Sequence, residues 1–217
     1  MSPTVHLPAD VRAVVFDLDG LLVDTEVLWR EEEAGLLSAH GVEHTREDSL
    51  ATVGRAIDHS VAYLAWRIGR PPSAVPELRR ELMARMRTAF ADRLAPMPGA
   101  IGLVRGLADA GLPMAVASNT DRDLVRLALE RAGLSDVFDA VVSAEDVEHP
   151  KPAPDVYLRA CQALGVAPSE ALAFEDSESG IVAARAAGLR VYAVPQLVEM
   201  DVSAADRVLE SLEELLT

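Results

Sequence analysis

The sequence holds one cysteine and one lysine in 217 residues. A single thiol, Cys161, excludes an intramolecular disulfide, and its place in an apolar helical pattern reads as inert packing. No stretch of about 20 apolar residues is present to span a bilayer as a helix. The N-terminal residues also lack a basic-plus-apolar leader, so the expectation is a soluble, cytoplasmic protein. Positive charge is scarce: the formal net charge of −15 argues against nucleic-acid binding, which needs a basic surface. An anionic substrate is not excluded, because surface charges are screened beyond about 8 Å at physiological salt and the local field of a site decides. There is no internal repeat and no low-complexity tract. The scarcity of lysine is the most informative of these absences. Of 20 basic residues, all but Lys151 are arginine. A lone lysine marks a position where a compact ammonium does something a planar guanidinium cannot.

Half of the residues are hydrophobic and a quarter are charged, a globular composition with ample length for a core. The chain is organised around Ala13-Val14-Val15-Phe16-Asp17-Leu18-Asp19-Gly20. Its apolar run is short, β-branched and not alternating, which predicts a strand over 12–17 buried on both faces of a parallel sheet. The carboxylates fall where that strand ends, the side on which open α/β sheets bind ligands. Residues i and i+2 of an extended chain face the same side, so Asp17 and Asp19 flank one reacting group. Two ionised carboxylates so close repel each other, and a divalent cation or a shared proton relieves the repulsion. One Asp can then serve as nucleophile and its neighbour as proton shuttle. Asp-x-Asp-Gly also occurs as an ordinary strand-to-turn sequence. A calcium loop is excluded: with Asp17 first, the sixth and twelfth places hold Leu22 and Leu28 instead of Gly and Glu.

Residues 1–10 read as a short frayed lead-in. From Leu22 to Leu94 the pattern is helical, over Glu26–His40, Ile57–Ile68 and Ser73–Leu94, the last a helix or helix pair with Met83 and Met86 in its packing. Ala95-Pro96-Met97-Pro98-Gly99 ends this block. Strands then alternate with helices: strands at Met114–Ala117, Ala140–Ser143, Ala171–Phe174 and Arg190–Val194, and a last strand and helix near Val208 and Leu212–Leu216. Asp121 is a candidate N-cap for a helix over 121–132. The fold expected is α/β: a doubly wound, parallel-sheet, Rossmann-like core with an inserted all-helical cap domain. The boundaries are 1–21 core, 22–95 cap and 96–217 core. The insertion leaves directly after Asp19-Gly20 and should sit over the carboxylates as a lid.

Four strand ends carry polar groups: Asp17/Asp19, Ser118/Asn119, the loop His149-Pro150-Lys151-Pro152, and Glu175/Asp176. In a parallel sheet these ends share one edge. Oxygen-rich carboxylate sites suit Mg²⁺. Hydroxyls, an amide and an ammonium suit phosphate oxygens and the charge that develops on a transferring phosphoryl group. Each cluster alone also reads as a helix start or a rigid turn, but those readings would have to hold at four strand ends at once.

The motifs Asp17-Leu18-Asp19-Gly20, Ser118, Lys151-Pro152-x-Pro-Asp155 and Glu175-Asp176-Ser177-x-x-Gly180 cover nearly the whole chain. In order and spacing they resemble the haloacid dehalogenase superfamily of phosphatases with a helical cap inserted after the first strand. Gly20-Leu21-Leu22-Val23-Asp24-Thr25-Glu26-Val27-Leu28-Trp29 is similar to the branch of sugar-phosphate and hexitol-phosphate phosphatases and β-phosphoglucomutases. The resemblance implies Asp17 as nucleophile, Asp19 as general acid and then base, and Ser118, Asn119 and Lys151 at the phosphoryl group. It implies Mg²⁺ on Asp17, the Asp19 carbonyl and Asp176, with Glu175 a ligand or just behind. Pro150 stands where the family commonly has Gly, and His149 reads as a loop residue. Arg55, at a helix entry of the cap, is the candidate substrate contact. The expected function is Mg²⁺-dependent hydrolysis of a small phosphorylated metabolite, a sugar or polyol phosphate, through an aspartyl-phosphate. The alternatives are a phosphotransfer mutase and a non-enzymatic phospho-acceptor domain. The chain is expected to work as a monomer, without nucleic-acid or membrane partners.

Overall fold

A computed structural model describes residues 4–196 and 200–217. Six parallel strands form one sheet: β1 (Ala13–Phe16), β2 (Met114–Ala117), β3 (Ala140–Val142), β4 (Ala171–Glu175), β5 (Arg190–Ala193) and β6 (Arg207–Val208). Their order is β3-β2-β1-β4-β5-β6, so β1 lies inside the sheet with β2 and β4 as neighbours. Every β1 residue is fully buried, as expected of an apolar run that meets helices on both faces. Val14 and Phe16 enter one hydrophobic cluster and Val15 the other, following the alternation of side chains along a strand. Phe16 stacks on Phe174 of β4 with ring centres 5.2 Å apart. Helices α5 (Ala100–Asp109) and α6 (Arg122–Arg131) cover the first face, α7 (Asp155–Leu164) and α8 (Glu178–Ala187) the second.

Between β1 and α5 stand α1 (Glu26–Ala39), α2 (Arg46–Thr52), α3 (Ile57–Arg67) and α4 (Val75–Arg93). Their apolar stripes meet in a core of Leu36, Leu37, Val61, Leu64, Leu78, Leu82, Met86 and Phe90, all buried. The chain leaves and re-enters the sheet domain side by side: Asp24 N–H donates to Ala95 O (2.9 Å) and Met97 N–H to Leu22 O (3.0 Å). From the helical block, the Arg79 guanidinium of α4 reaches the Asp121 carboxylate before α6, at 2.6 and 2.8 Å. Among the described residues no helix is long and apolar enough to cross a membrane.

Several local expectations are corrected. α2 has no counterpart in the sequence reading. It is held by a capping box in which Thr45 and Asp48 bond reciprocally, and seven residues are too few to show a 3.6-residue period. The chain end at Leu212–Leu215 is a 3₁₀ turn. The lead-in is not frayed from residue 4 onward: Thr4 N–H donates to Thr217 O (2.9 Å) and Val5 bridges Leu216. Asp121 stands at the N-cap of α6 but makes no side-chain capping bond, because its carboxylate is taken by Arg79.

Candidate active site

β1 delivers Asp17 to the edge of the sheet, where its N–H donates to Phe174 O at 3.0 Å. The chain then turns at Gly20, whose φ is +76°. A Cβ there would stand 2.2 Å from Asp176 Oδ2, so both the left-handed backbone and the close approach demand glycine. Asp176 and Glu175 arrive at the end of β4, next to β1. Gly180 is required for a related reason: a Cβ there would fall 1.8 Å from Glu175 Oε1.

Lys151 lies in the loop between β3 and α7. Asn119, just past β2, clamps that loop: its Oδ1 accepts from Lys151 N–H at 2.9 Å and its Nδ2 donates to Lys151 O at 3.1 Å. The Lys151 ammonium bridges Asp17 Oδ1 (2.5 Å) and Glu175 Oε1 (2.6 Å), and it sits 5.0 Å from the centre of the Tyr157 ring. The Tyr157 hydroxyl donates to the same Glu175 oxygen at 2.5 Å. The other oxygen accepts from the N–H groups of Asp176 (3.1 Å) and Ser177 (3.3 Å) and from Ser177 Oγ (3.1 Å).

Asp19 faces a different set of donors. Its Oδ2 accepts from Ser118 Oγ (3.0 Å) and Thr120 Oγ1 (2.8 Å), and its Oδ1 from the indole N–H of Trp29 on α1 (3.3 Å). The sheet edge therefore holds two carboxylates with separate surroundings, Asp17 against an ammonium and Asp19 against neutral donors.

Asp17, Glu175 and Asp176 each offer an oxygen, all within 4.8 Å of one another, and all three residues are buried. Burial pushes the Asp17 and Asp176 carboxyls well above the usual carboxylate range. The neighbouring acids push the same way, against Lys151. For Lys151, burial alone would lower the pKa, but Asp17 and Glu175 outweigh it and hold the ammonium above its ordinary value. Three acids against one ammonium leave a negative excess in a region of low dielectric. A hard divalent cation fits both that excess and the all-oxygen donor set.

The structure thus brings Asp17, Asp19, Ser118, Asn119, Lys151, Glu175 and Asp176 to one sheet edge. Arg55 is exposed and lines the wall of the same cavity. Exposed His149 bonds none of these residues, and Cys161 is buried as packing. The sequence reading missed Thr120, Tyr157, and Glu33 and Thr52 in the cavity wall. Only Thr120 carried a signal: it lies two residues past Ser118 beyond a strand end, where same-side placement is expected.

The haloacid dehalogenase-like hydrolase family matches residues 14–194. Hexitol phosphatase B of Escherichia coli is 34% identical over 192 residues, covering 87% of this chain and 85% of the relative. Fructose-1-phosphate phosphatase YqaB of the same organism is 32% identical, over 81% of this chain and 92% of its own. Among solved structures, CbbY from Rhodobacter sphaeroides in complex with phosphate superposes with a TM-score of 0.85 at 30% identity, over 94% of this chain and 96% of the other. The strand-end site and these likenesses agree: the chain belongs to the haloacid dehalogenase-like hydrolases and is a phosphoric monoester hydrolase.

Proposed function

We propose that the enzyme is a Mg²⁺-dependent phosphatase of small sugar or polyol phosphates that works through an aspartyl-phosphate on Asp17. The observation that carries this reading is the buried Asp17–Lys151 contact beside an Asp19 held by neutral donors. Asp17 Oδ attacks phosphorus, and the bond to the leaving oxygen breaks as Asp19 gives that oxygen a proton. Asp19, now ionised, takes a proton from water as the water oxygen attacks the aspartyl-phosphate and frees Asp17 and inorganic phosphate. Lys151 and Ser118 hold the phosphoryl oxygens. Both ends of the Asn119 amide are engaged by the Lys151 backbone, so we assign Asn119 to positioning that loop. Asp17, the Asp19 carbonyl and Asp176 would hold Mg²⁺, which supplies charge neutralisation for the phosphoryl oxygens. Glu175, surrounded by protein donors, stands behind them and orients Lys151.

Residues 22–95 form the cap and the rest the core, a division supported by the paired crossing at Leu22 and Met97. Both halves of the cavity come from one chain, which suits a monomer, and we place the enzyme in the cytoplasm. The sugar-phosphate names of the similar phosphatases support the substrate class.

Trp29 favours a hydrolase over a mutase. The β-phosphoglucomutase branch has a histidine at this position of the first cap helix, five residues beyond the matched Asp24. An indole N–H donates a hydrogen bond but does not transfer a proton at neutral pH. The test is to incubate β-glucose 1-phosphate, a trace of the 1,6-bisphosphate and Mg²⁺ with the protein and to follow both products. Inorganic phosphate is expected to outpace glucose 6-phosphate, and the reverse order would overturn the assignment.

A further inference from the structure

We propose that Glu33 of the cap, with Thr52 beside it, is the subsite that reads a hydroxyl of the substrate. This inference rests on the phosphatase reading above and names what the cap recognises. Glu33 is only 4% exposed, yet it lines the cavity that Asp17 and Lys151 floor. It lies four residues after Trp29 on α1, so the two share a helix face, about 6 Å apart along the axis. Trp29 touches Asp19, so Glu33 stands one helical turn farther from the reacting centre.

Thr52 Oγ1 lies 2.9 Å from Glu33 Oε2. Among the described residues none donates to Glu33 Oε1. A carboxyl group this enclosed costs free energy unless its oxygens are bonded, and Oε1 is open to the cavity, where a ligand hydroxyl can take the place of water. The nearby wall mixes buried Ile57 and Met83 with Ser60 and a second acid, Glu26, and two neighbouring acids disfavour an anion brought against Glu33. A neutral hydroxyl suits the place. Burial, with Glu26 and Asp48 adding to it against the Thr52 bond, pushes the Glu33 carboxyl up to about 7. It therefore both donates and accepts near neutral pH, as an alcohol does. The arginines of the cavity, Arg30 and Arg55, are exposed and are left for the rim. The substrate class that results is a polyhydroxylated chain with its phosphate at the Asp17 end.

The experiment compares kcat/KM for sorbitol 6-phosphate and for phenyl phosphate, which has no hydroxyl to present, in wild type, Glu33→Leu and Glu33→Gln. Glu33→Leu is expected to lose about 10–100-fold more on sorbitol 6-phosphate than on phenyl phosphate, the discrimination of a lost hydrogen bond to a carboxyl group. Glu33→Gln, which keeps an acceptor and a donor, is expected to restore most of that ratio. An equal loss on both esters in Glu33→Leu would reduce Glu33 to packing and overturn the inference. A wild type active on phenyl phosphate but inert toward sorbitol 6-phosphate would overturn it while leaving the phosphatase reading intact. A wild type inert toward both would overturn the two together.

Discussion

The floor and the roof of the cavity are built in different ways. On the floor, Asp17, Ser118 and Asp176 each follow the end of a strand by a single residue or less, as Asp19 and Thr120 follow by three. The backbone direction of a parallel sheet aims them all at one edge, and all but Asp176 bond a partner about 100 residues or more away in sequence. On the roof, Trp29, Glu33 and Thr52 project from helix faces, and Arg55 from a connection. Strand ends make a site whose charges cannot shift relative to one another, which suits the reaction common to a family. Helix faces make a wall that substitutions can re-line without disturbing the sheet, which suits substrate choice.

The contrast breaks most severely on the floor. Asp17→Asn is expected to lower kcat by on the order of 10³-fold or more, because an amide is neither a nucleophile nor an anionic ligand. Steady-state phosphate release checks this. Lys151→Arg keeps the charge but puts a planar fork where Asp17 and Glu175 grip a point charge. A loss of about two to three decades in kcat/KM, or ~2–4 kcal/mol, is expected. On the roof, Trp29→Phe retains a ring against Phe90 but removes the N–H to Asp19. A decrease of only about 3–10-fold in kcat is expected, the size of one neutral donor lost.

The smallest effect concerns stability. Glu33 has a folded pKa of about 7 against an ordinary 4.5, with burial the main cause and Glu26 and Asp48 facing it. The folded state thus binds the extra proton, and its stability falls as pH rises from about 4.5 through 7. Glu33→Gln never ionises. Its melting temperature relative to wild type should therefore rise between pH 4 and pH 8, by about 2–4 °C for each kcal/mol in a chain of this size. A constant offset across that range would contradict the shift.

The same contrast explains what the sequence makes legible. β1 and its acids could be located because an apolar run, two carboxylates and a glycine occupy consecutive positions, and Gly20 is dictated by the backbone itself. Lys151 stood out because arginine replaces lysine everywhere else. Tyr157 did not, because its importance lies in a contact to Glu175 across 18 residues, whereas Thr120, bonded to Asp19 across 101 residues, was marked only by its spacing from Ser118. Locally, Tyr157 is one more apolar position of α7. Asp121 has the chemistry of a cap, but a guanidinium from α4 competes for it. Glu33 lies in an acidic stretch with Glu31, exposed, and Glu32, half-buried, and only the contact with Thr52 of α2 and the burial beside it set it apart.

The central claim is that Asp17 carries the phosphoryl group. The most direct measurement is to mix Asp19→Asn, in which the base that activates water is removed, with Mg²⁺ and radiolabelled acetyl phosphate, whose carboxylate leaving group needs no proton from Asp19, quench in acid and map the label by peptide mass spectrometry. The expected result is a stable phosphoryl adduct on Asp17, absent from the Asp17→Asn/Asp19→Asn double variant. Label on another residue, or phosphate release from Asp17→Asn at near the wild-type rate, would contradict the account.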